Sequence, residues 1–465
     1  MSALHRPPRT VAVAVVGGGF SGVALTCALM RQARQPLQVT LVERRAALGC
    51  GVAYGTGQMS HLLNVPAGRM GVDAQDETGF ARHLVSQGQQ ARAQDFVPRA
   101  LYAGYLKHAL AQAARNAAPG VGWAWRHDQA LSCDSRSVTF QRSAVLRVDA
   151  VVLTTGHLPP SPPHLADGPN WTEPGLVPDP WQPGALDAMA SDAPVLLLGT
   201  GLTALDMLLQ LRASGHAGRI TLASRRGLLP QPHRRLESPP PSGLVPPDAL
   251  SGLDNARAML RAVRQLVSDI ESRGHDWRDA VAGLRPATPR LWRQLALSER
   301  RRFLRHLQPF WDTHRHRSAP QARAALDALA ASGQVQVRAA RLRSLRPAAD
   351  GGWHVGLQAR GSDLVDTLAV GWVVNCTGPS SHASQTDDPL LRHLIADGAA
   401  VPDPLGLGLC VETDYRLAGA PENVGGLRYL GPLLKAGWWE AVAVPELRVH
   451  ADKLAGMLVS ELGLG

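Results

Sequence analysis

Apolar and polar positions along the chain fall into a pattern that recurs. Val11-Ala-Val-Ala-Val-Val16 is an unbroken apolar run ended by Gly17, as expected of a strand buried on both faces of a parallel sheet. Ser21 to Arg34 reads as a helix, and Gln38-Val-Thr-Leu-Val42 as a second strand. The same strand, helix, strand order returns at Val195 to Leu198, Leu202 to Arg212 and Arg219 to Ala223. A shift of 182 residues lays Gly17 and Gly19 on Gly199 and Gly201, and a shift of 181 lays Val39-Thr-Leu-Val42 on Ile220-Thr-Leu-Ala223. The chain therefore holds two copies of one β-α-β architecture, differing by one loop residue.

A second pattern also occurs twice. Ala150-Val-Val-Leu-Thr-Thr-Gly156 and Trp372-Val-Val-Asn-Cys-Thr-Gly378 are buried strands that end in Thr-Gly. Each follows alternating short segments, Val121 to Val148 and Val335 to Val370, which read as small antiparallel strands. Glycine at such a strand end lets the backbone approach a bound dinucleotide. Pro159, Pro160, Pro162 and Pro163 mark one hinge, and Ser238 to Pro247 another. Residues from about 254 to 331 read as a helical, arginine-rich insertion, and Glu446 to Leu462 as an amphipathic helix. The expected fold is α/β, with two Rossmann-type dinucleotide-binding domains. The first is discontinuous, over 8–160 and 365–465. The second spans 190–364 and carries the helical insertion, with small antiparallel β segments accompanying both.

The glycines carry the first chemical signal. Gly17-Gly18-Gly19-Phe20-Ser21-Gly22 follows a strand and opens a helix, with Glu43 ending the next strand. In that context Gly17 allows the tight turn, Gly19 the approach of a pyrophosphate, and Gly22 helix–strand packing; the helix N-terminus stabilises phosphate and Glu43 accepts from ribose hydroxyls. The second copy is Gly199-Thr200-Gly201-Leu202-Thr203-Ala204, with Asp206 on its helix and Ser224-Arg225-Arg226 after its second strand. Ser224 stands where Glu43 stands in the first. An acid there selects the 2′-hydroxyl of NAD, whereas arginine accommodates the 2′-phosphate of NADP, so Arg225 and Arg226 tilt the expectation to NADPH. Arginine capping a strand end is the bland alternative. Two such folds in one chain imply two nucleotides meeting face to face, most economically bound FAD and transient NAD(P)H.

Composition narrows the class. A chain of 465 residues, 45% of them hydrophobic, fits two or three domains rather than one. The formal charge of +10 would point to nucleic acid if it were clustered, but the arginines are spread along the chain and only Lys107, Lys435 and Lys453 are lysines. No nucleic-acid partner is expected, and the basic surface favours anionic cofactors and substrates. Cys27, Cys50, Cys133, Cys376 and Cys410 form no C-x-x-C pair, so neither a zinc site nor a disulfide framework is expected, and a reducing cytoplasm is the simplest compartment. Cys27 and Cys50 are too far apart, with Cys27 inside the first helix, for a flavin-coupled dithiol. No apolar run is long enough to span a bilayer. His5, Arg6 and Arg9 before Val11 superficially resemble a signal peptide, but the run enters a glycine motif without a cleavage site. Electron delivery to a partner protein and oxygen chemistry both remain open from the residues alone.

Several local runs resemble a known family. They are Gly51-Val-Ala-Tyr-Gly-Thr56, His61-Leu-Leu-Asn-Val-Pro-Ala-Gly68, Phe96-Val-Pro-Arg-Ala-Leu-Tyr102, Asp179-Pro-Trp181, Ser224-Arg-Arg-Gly227, Arg301-Arg-Phe-Leu-Arg-His306, Trp311-Asp-Thr-His-Arg-His316, Asn375-Cys-Thr-Gly378 and Glu440-Ala-Val-Ala-Val-Pro-Glu446. Together they resemble the FAD/NAD(P)-binding monooxygenase family that includes a FAD-dependent urate hydroxylase and an aspartate N-monooxygenase. Gly71, where that family pattern has serine after methionine, is one departure. The resemblance implies a single-component monooxygenase using FAD, NAD(P)H and dioxygen through a peroxyflavin. Its substrate would be small and anionic: urate, hydroxylated to 5-hydroxyisourate, or alternatively an amino acid hydroxylated on nitrogen. Gly17, Gly19, Gly22 and Glu43 are the leading FAD residues. His61 to Pro66 are expected at the flavin ring, with Asn64 bonding the ring, bonding NAD(P)H or merely bracing a loop. Thr155, Gly156, Thr377 and Gly378 lie where strands return to the cofactor, and Gly431-Pro432 with Lys435 and Gly437 resembles a C-terminal turn reaching the flavin. Gly199, Gly201, Ser224, Arg225 and Arg226 are expected at NAD(P)H. Phe303, Leu307, Phe310, Trp311 and His314 form an apolar helical stripe that Pro309 should kink, beside a basic face that either binds an anion or is simply solvated. His233 is either a proton donor or a loop residue. No catalytic residue and no metal ligand is assigned.

Overall fold

The computed structural model describes residues 9–165, 168–234, 243–349, 351–421 and 426–465. His5, Arg6 and the Ser238–Ser242 part of the second proline-rich segment lie outside them.

The first unit opens with β1 (Val11–Val16), α1 (Phe20–Gln32) and β2 (Leu37–Glu43). Strand β1 has Val13, Ala14 and Val15 fully buried, the outcome of an apolar run flanked by helices on both faces. Three helices follow: α2 (Gly51–Tyr54), α3 (Gly79–Ser86) and α4 (Ala100–Arg115). Then come β3 (Val121–His127), a small antiparallel sheet of β4 (Ala130–Cys133), β5 (Ser137–Phe140) and β6 (Leu146–Arg147), and β7 (Ala150–Leu153). Strand β3 was expected in the antiparallel set. It instead pairs parallel with β2 from Leu37↔Val121 to Glu43↔His127, as the edge of the main sheet.

The second unit holds β8 (Leu176–Val177), β9 (Val195–Leu198), α5 (Leu202–Ala213) and β10 (Ile220–Ser224). The expected helical insertion follows as α6 (Ala256–Ser272), α7 (Trp277–Leu284), α8 (Thr288–Gln294), α9 (Leu297–His306), α10 (Gln308–Arg315) and α11 (Pro320–Ala331). Pro309 lies in the first turn of α10, and the break from α9 falls at Leu307. Next come β11 (Val335–Pro347), β12 (Trp353–Ala359), β13 (Val365–Val370) and β14 (Trp372–Asn375). Strand β11 plays two parts: Val335–Ala339 pairs parallel with β10, and Ala340–Pro347 pairs antiparallel with β12. Only its second half matches the antiparallel expectation.

The chain then returns through α12 (Pro389–Ala396), β15 (Leu427–Tyr429) and α13 (Val444–Glu461). The sheets have the orders β15-β7-β1-β2-β3 and β13-β12-β11-β10-β9-β14-β8. Strand β14 therefore belongs to the second sheet, paired with β9 from Trp372↔Val195 to Asn375↔Leu198. This corrects the boundary expected at 365: the strand that rejoins the first sheet is β15, beside β7. The core of the first unit resumes at Ala383, Leu390 and Leu391. Helix α13 is bound to α1 by Arg31–Asp452 and by Gln32 Nε2 donating to Asp452 Oδ1 at 2.8 Å.

Candidate functional site: two nucleotide cradles on one trough

Helix α1 starts at Phe20, with Gly19 as its N-cap and no side-chain cap. Its first-turn N–H groups are thus left for a ligand at the positive end of the helix dipole. Gly17 holds φ at +121°. A Cβ there would stand 2.5 Å from the Thr154 carbonyl oxygen, and one at Gly22 would stand 1.9 Å from the Gly17 oxygen. Gly22 therefore packs helix against loop, while Gly17 and Gly19 line a cleft of about 490 Å³ with Glu43, Thr155 and Gly156. Glu43 braces this cradle: Gly18 N–H donates to Oε2 and Arg45 N–H to Oε1, each at 2.9 Å. Each oxygen keeps a lone pair for a ribose hydroxyl. Thr155 Oγ1 is buried at this wall without a hydrogen-bond partner among the described residues. An uncapped helix end, a turn with no room for side chains, a carboxylate and an unmatched hydroxyl fit FAD.

The second cradle repeats the first. Gly199 has φ +126°, and a Cβ there would lie 2.2 Å from the Cys376 carbonyl oxygen. Gly201 caps α5, and no atom would meet its Cβ within 4 Å. Both line a larger cleft of about 1000 Å³ together with Asn64, Ser224 and Arg225. Arg44, Arg45, Val52 and His157 occur on the walls of both clefts, which therefore form one trough.

Other expected residues fall elsewhere. Thr377 and Gly378 follow β14, so they line the larger cleft beside Gly199 rather than the FAD cradle. Asn375 Oδ1 fixes Thr377 by accepting from its Oγ1 at 2.7 Å. Arg226 turns away: it donates to the Arg305 carbonyl at 3.0 Å and lies over the Phe310 ring. Its guanidinium ties β10 to the helical insertion. Lys435 lines neither cleft, its Nζ lying 4.4 Å from the centre of the Trp439 ring, although its charge reaches His157 and Asp312 on the wall. Of His61 to Pro66, Asn64 is the wall residue, its carbonyl facing His233 Nε2 at 3.0 Å. Ser224 is engaged by Thr200 Oγ1 at 2.9 Å and by the Gly227 N–H at 3.0 Å.

Sequence reading missed several wall residues. Arg99 and Asp206 form an ion pair at 3.1 Å between the start of α4 and α5, joining the two units. Burial pushes Asp206 up to about 6 against the opposing pull of Arg99. The His157 imidazole is held down to about 4 by burial and then by Lys435, so it is neutral near pH 7. Asp312 on α10 reaches the wall with Oδ1 buried and without a hydrogen-bond partner among the described residues; burial raises its carboxyl. Arg341 and Arg343 on β11 also face the cleft. Arg99, Asp206 and Asp312 stand in runs already singled out, Phe96–Tyr102, the second glycine motif and Trp311–His316, but only the fold brings them to the cleft; His157, Arg341 and Arg343 stand in none.

Residues 14–158 match the FAD-NAD(P)-binding family model. Comparison with curated protein sequences finds no match. Among solved structures, the ornithine N-hydroxylase of Kutzneria sp. 744 is similar at 14% identity and TM-score 0.64, over 98% of this chain and 100% of that one. The L-lysine 6-monooxygenase of Pseudomonas syringae is similar at 17% identity and TM-score 0.61, over 98% and 100%. The thioredoxin reductase of Lactococcus lactis shares 9% identity at TM-score 0.51, over 98% and 99%. No helix among the described residues is long and apolar enough to cross a membrane. Residues 14–158 are thus an FAD-NAD(P)-binding region, set in a chain with the two-unit dinucleotide fold shared by N-hydroxylating monooxygenases and thioredoxin reductases.

Proposed function

We propose that the chain is an FAD-dependent NAD(P)H monooxygenase that hydroxylates the nitrogen of a small amine-bearing substrate such as an amino acid. The observation that carries this reading is the trough itself: two nucleotide cradles open on one cavity, in an architecture matched over 98% of the chain by enzymes named for ornithine and lysine. Bound FAD would supply hydride acceptance and dioxygen activation. The chain's own part is placement. Gly17, Gly19 and the α1 N-terminus hold the diphosphate, Glu43 the ribose, and Gly199 and Gly201 the second dinucleotide. Neutral His157 can give or accept a hydrogen bond where the cradles meet. Val52, Pro159, Pro160, Trp181 and Val442 line the wall and help exclude water.

Asp312 tilts the substrate toward amines. Gln308 Nε2 donates to its Oδ2 at 3.2 Å, while Oδ1, with His316 Nε2 3.9 Å away, has no hydrogen-bond partner among the described residues. An amine N–H satisfies that oxygen, whereas urate, anionic at neutral pH, brings negative charge against a carboxylate. Urate therefore becomes the weaker of the two substrates first expected. A dithiol reductase is disfavoured because the five cysteines form no C-x-x-C pair, and burial raises the Cys27 and Cys133 thiols to about 12.

The test is coupled turnover with ornithine, lysine, cadaverine, aspartate and urate. We expect one of the amines to yield hydroxylamine in step with NAD(P)H consumed. Hydrogen peroxide as the sole product with every amine would overturn the reading, and product formed only with urate would return the assignment to urate.

A further inference from the structure

The C-terminal edge of the second sheet carries a positive corner that the glycine motifs do not explain. In the β10–β11 register Ser224 faces Ala339, so Arg225 leaves β10 beside the Ala340–Arg341 step of β11. Ligands of open α/β sheets bind at this strand edge. One step further β11 bulges: Leu342 faces Leu357 and Ser344 faces Gly356, leaving Arg343 as the extra residue. A bulge re-aims the side chain it carries. Glycine at 356 permits this one, since a Cβ there would lie 2.3 Å from Ser344 Oγ. Gln358 Oε1 accepts from Arg343 Nε at 2.7 Å and fixes its direction.

Arg225, Arg341 and Arg343 all line the cleft, and none has an ion pair among the described residues. Two of the wall's acids are used elsewhere, Asp206 by Arg99 and Asp179 by the Trp181 N–H and Gln182, and the third, Asp312, stands on α10 rather than at the β10–β11 edge. Ser224 offers no carboxylate for a 2′-hydroxyl, and its Oγ is already engaged. The corner is thus three guanidiniums without an anion, suited to a group carrying about two negative charges and several acceptor oxygens.

We propose that this corner binds the 2′-phosphate of NADPH, with Arg341 and the bulged Arg343 as specificity-determining residues beside Arg225. The inference rests on the reading of the second unit as the nicotinamide-nucleotide site. In it, Arg226, the other arginine expected there, has no part.

The experiment is anaerobic flavin reduction of the FAD-loaded protein by NADPH and by NADH. Arg341→Ala with Arg343→Ala should raise KM for NADPH about tenfold or more, with the NADH value moving less than about twofold. Arg226→Ala should leave the NADPH/NADH ratio unchanged. Adenosine 2′-monophosphate should compete with NADPH in the parent far better than adenosine 5′-monophosphate, and lose that advantage in the double variant. Arg343→Gln, which keeps a polar side chain on the bulge, should reproduce part of the shift. Equal change for both nucleotides, no change for NADPH, or a ratio set by Arg226 overturns the inference while the monooxygenase reading stands. Failure of both nucleotides to reduce bound flavin overturns both.

Discussion

A methyl group at position 17 would stand 2.5 Å from the Thr154 carbonyl oxygen on a backbone at φ +121°, a region that L residues avoid. At position 201 the same methyl would meet nothing within 4 Å. The two glycines therefore separate fold from ligand. Gly17→Ala should cost about 2 kcal/mol or more of stability and release FAD, seen as lost flavin absorbance after gel filtration together with a lower melting temperature. Gly201→Ala should keep flavin and melting temperature. Its methyl would occupy the line of approach of the second diphosphate, raising KM for NAD(P)H by about tenfold or more. Unchanged NAD(P)H kinetics in that variant would remove the second cradle as a nucleotide site.

Between elements, the Arg99–Asp206 pair links the first turn of α4 to α5, with side chains only 13% and 7% exposed. Removing one partner strands the other in a dry environment. Asp206→Leu alone should therefore cost about 3–5 kcal/mol, while Arg99→Met with Asp206→Leu should recover much of that loss, measured by urea denaturation. Additive losses in the double variant would show that the two residues act independently. The elements themselves were largely legible. Buried parallel strands leave unbroken apolar runs, and glycine turns mark where they stop, so β1 and β9 were read with their true limits, and β14 with its start but three residues too long. Their pairing was not legible. Strand β14 resembles β7 in length, apolar character and Thr-Gly ending, and only hydrogen bonds to a strand far off in sequence assign it to the second sheet. Strand β3 misled because it is a half-exposed edge strand with polar and aromatic residues interspersed. Among site residues, the glycines and Glu43 announce themselves because a turn and a strand end fix their neighbours. Arg343 reaches the cleft through a bulge, and Asp312, although inside the Trp311–His316 run, through the break between α9 and α10. Neither geometry is encoded by local spacing. Arg226 failed for the converse reason: adjacent residues on a strand end point in opposite directions.

For the molecule as a whole, acid is the natural stress. Burial holds His61, His157 and His450 down to about 4, whereas an unfolded chain binds those protons near 6.5. Their contribution to stability is complete above pH 6.5 and is lost as pH falls from there toward 4, because the unfolded state takes up protons first. Each histidine adds up to about 1.4 kcal/mol per pH unit to that slope. Urea titrations at pH 7, 6 and 5 should show it, and His450→Gln should flatten it; a profile flat across this interval would contradict the buried, neutral state of these rings.

The order of strands in the first sheet has a temporal consequence. Strand β15, which completes that sheet beside β7, and helix α13, which clamps α1, emerge from the ribosome only after the entire second unit. The nascent first unit must wait, incomplete, while another folding unit is synthesised in between. Capture of the yellow cofactor then awaits synthesis of β15, and premature stop codons anywhere before Leu427 should yield colourless polypeptide even though every glycine of the opening motif has been made.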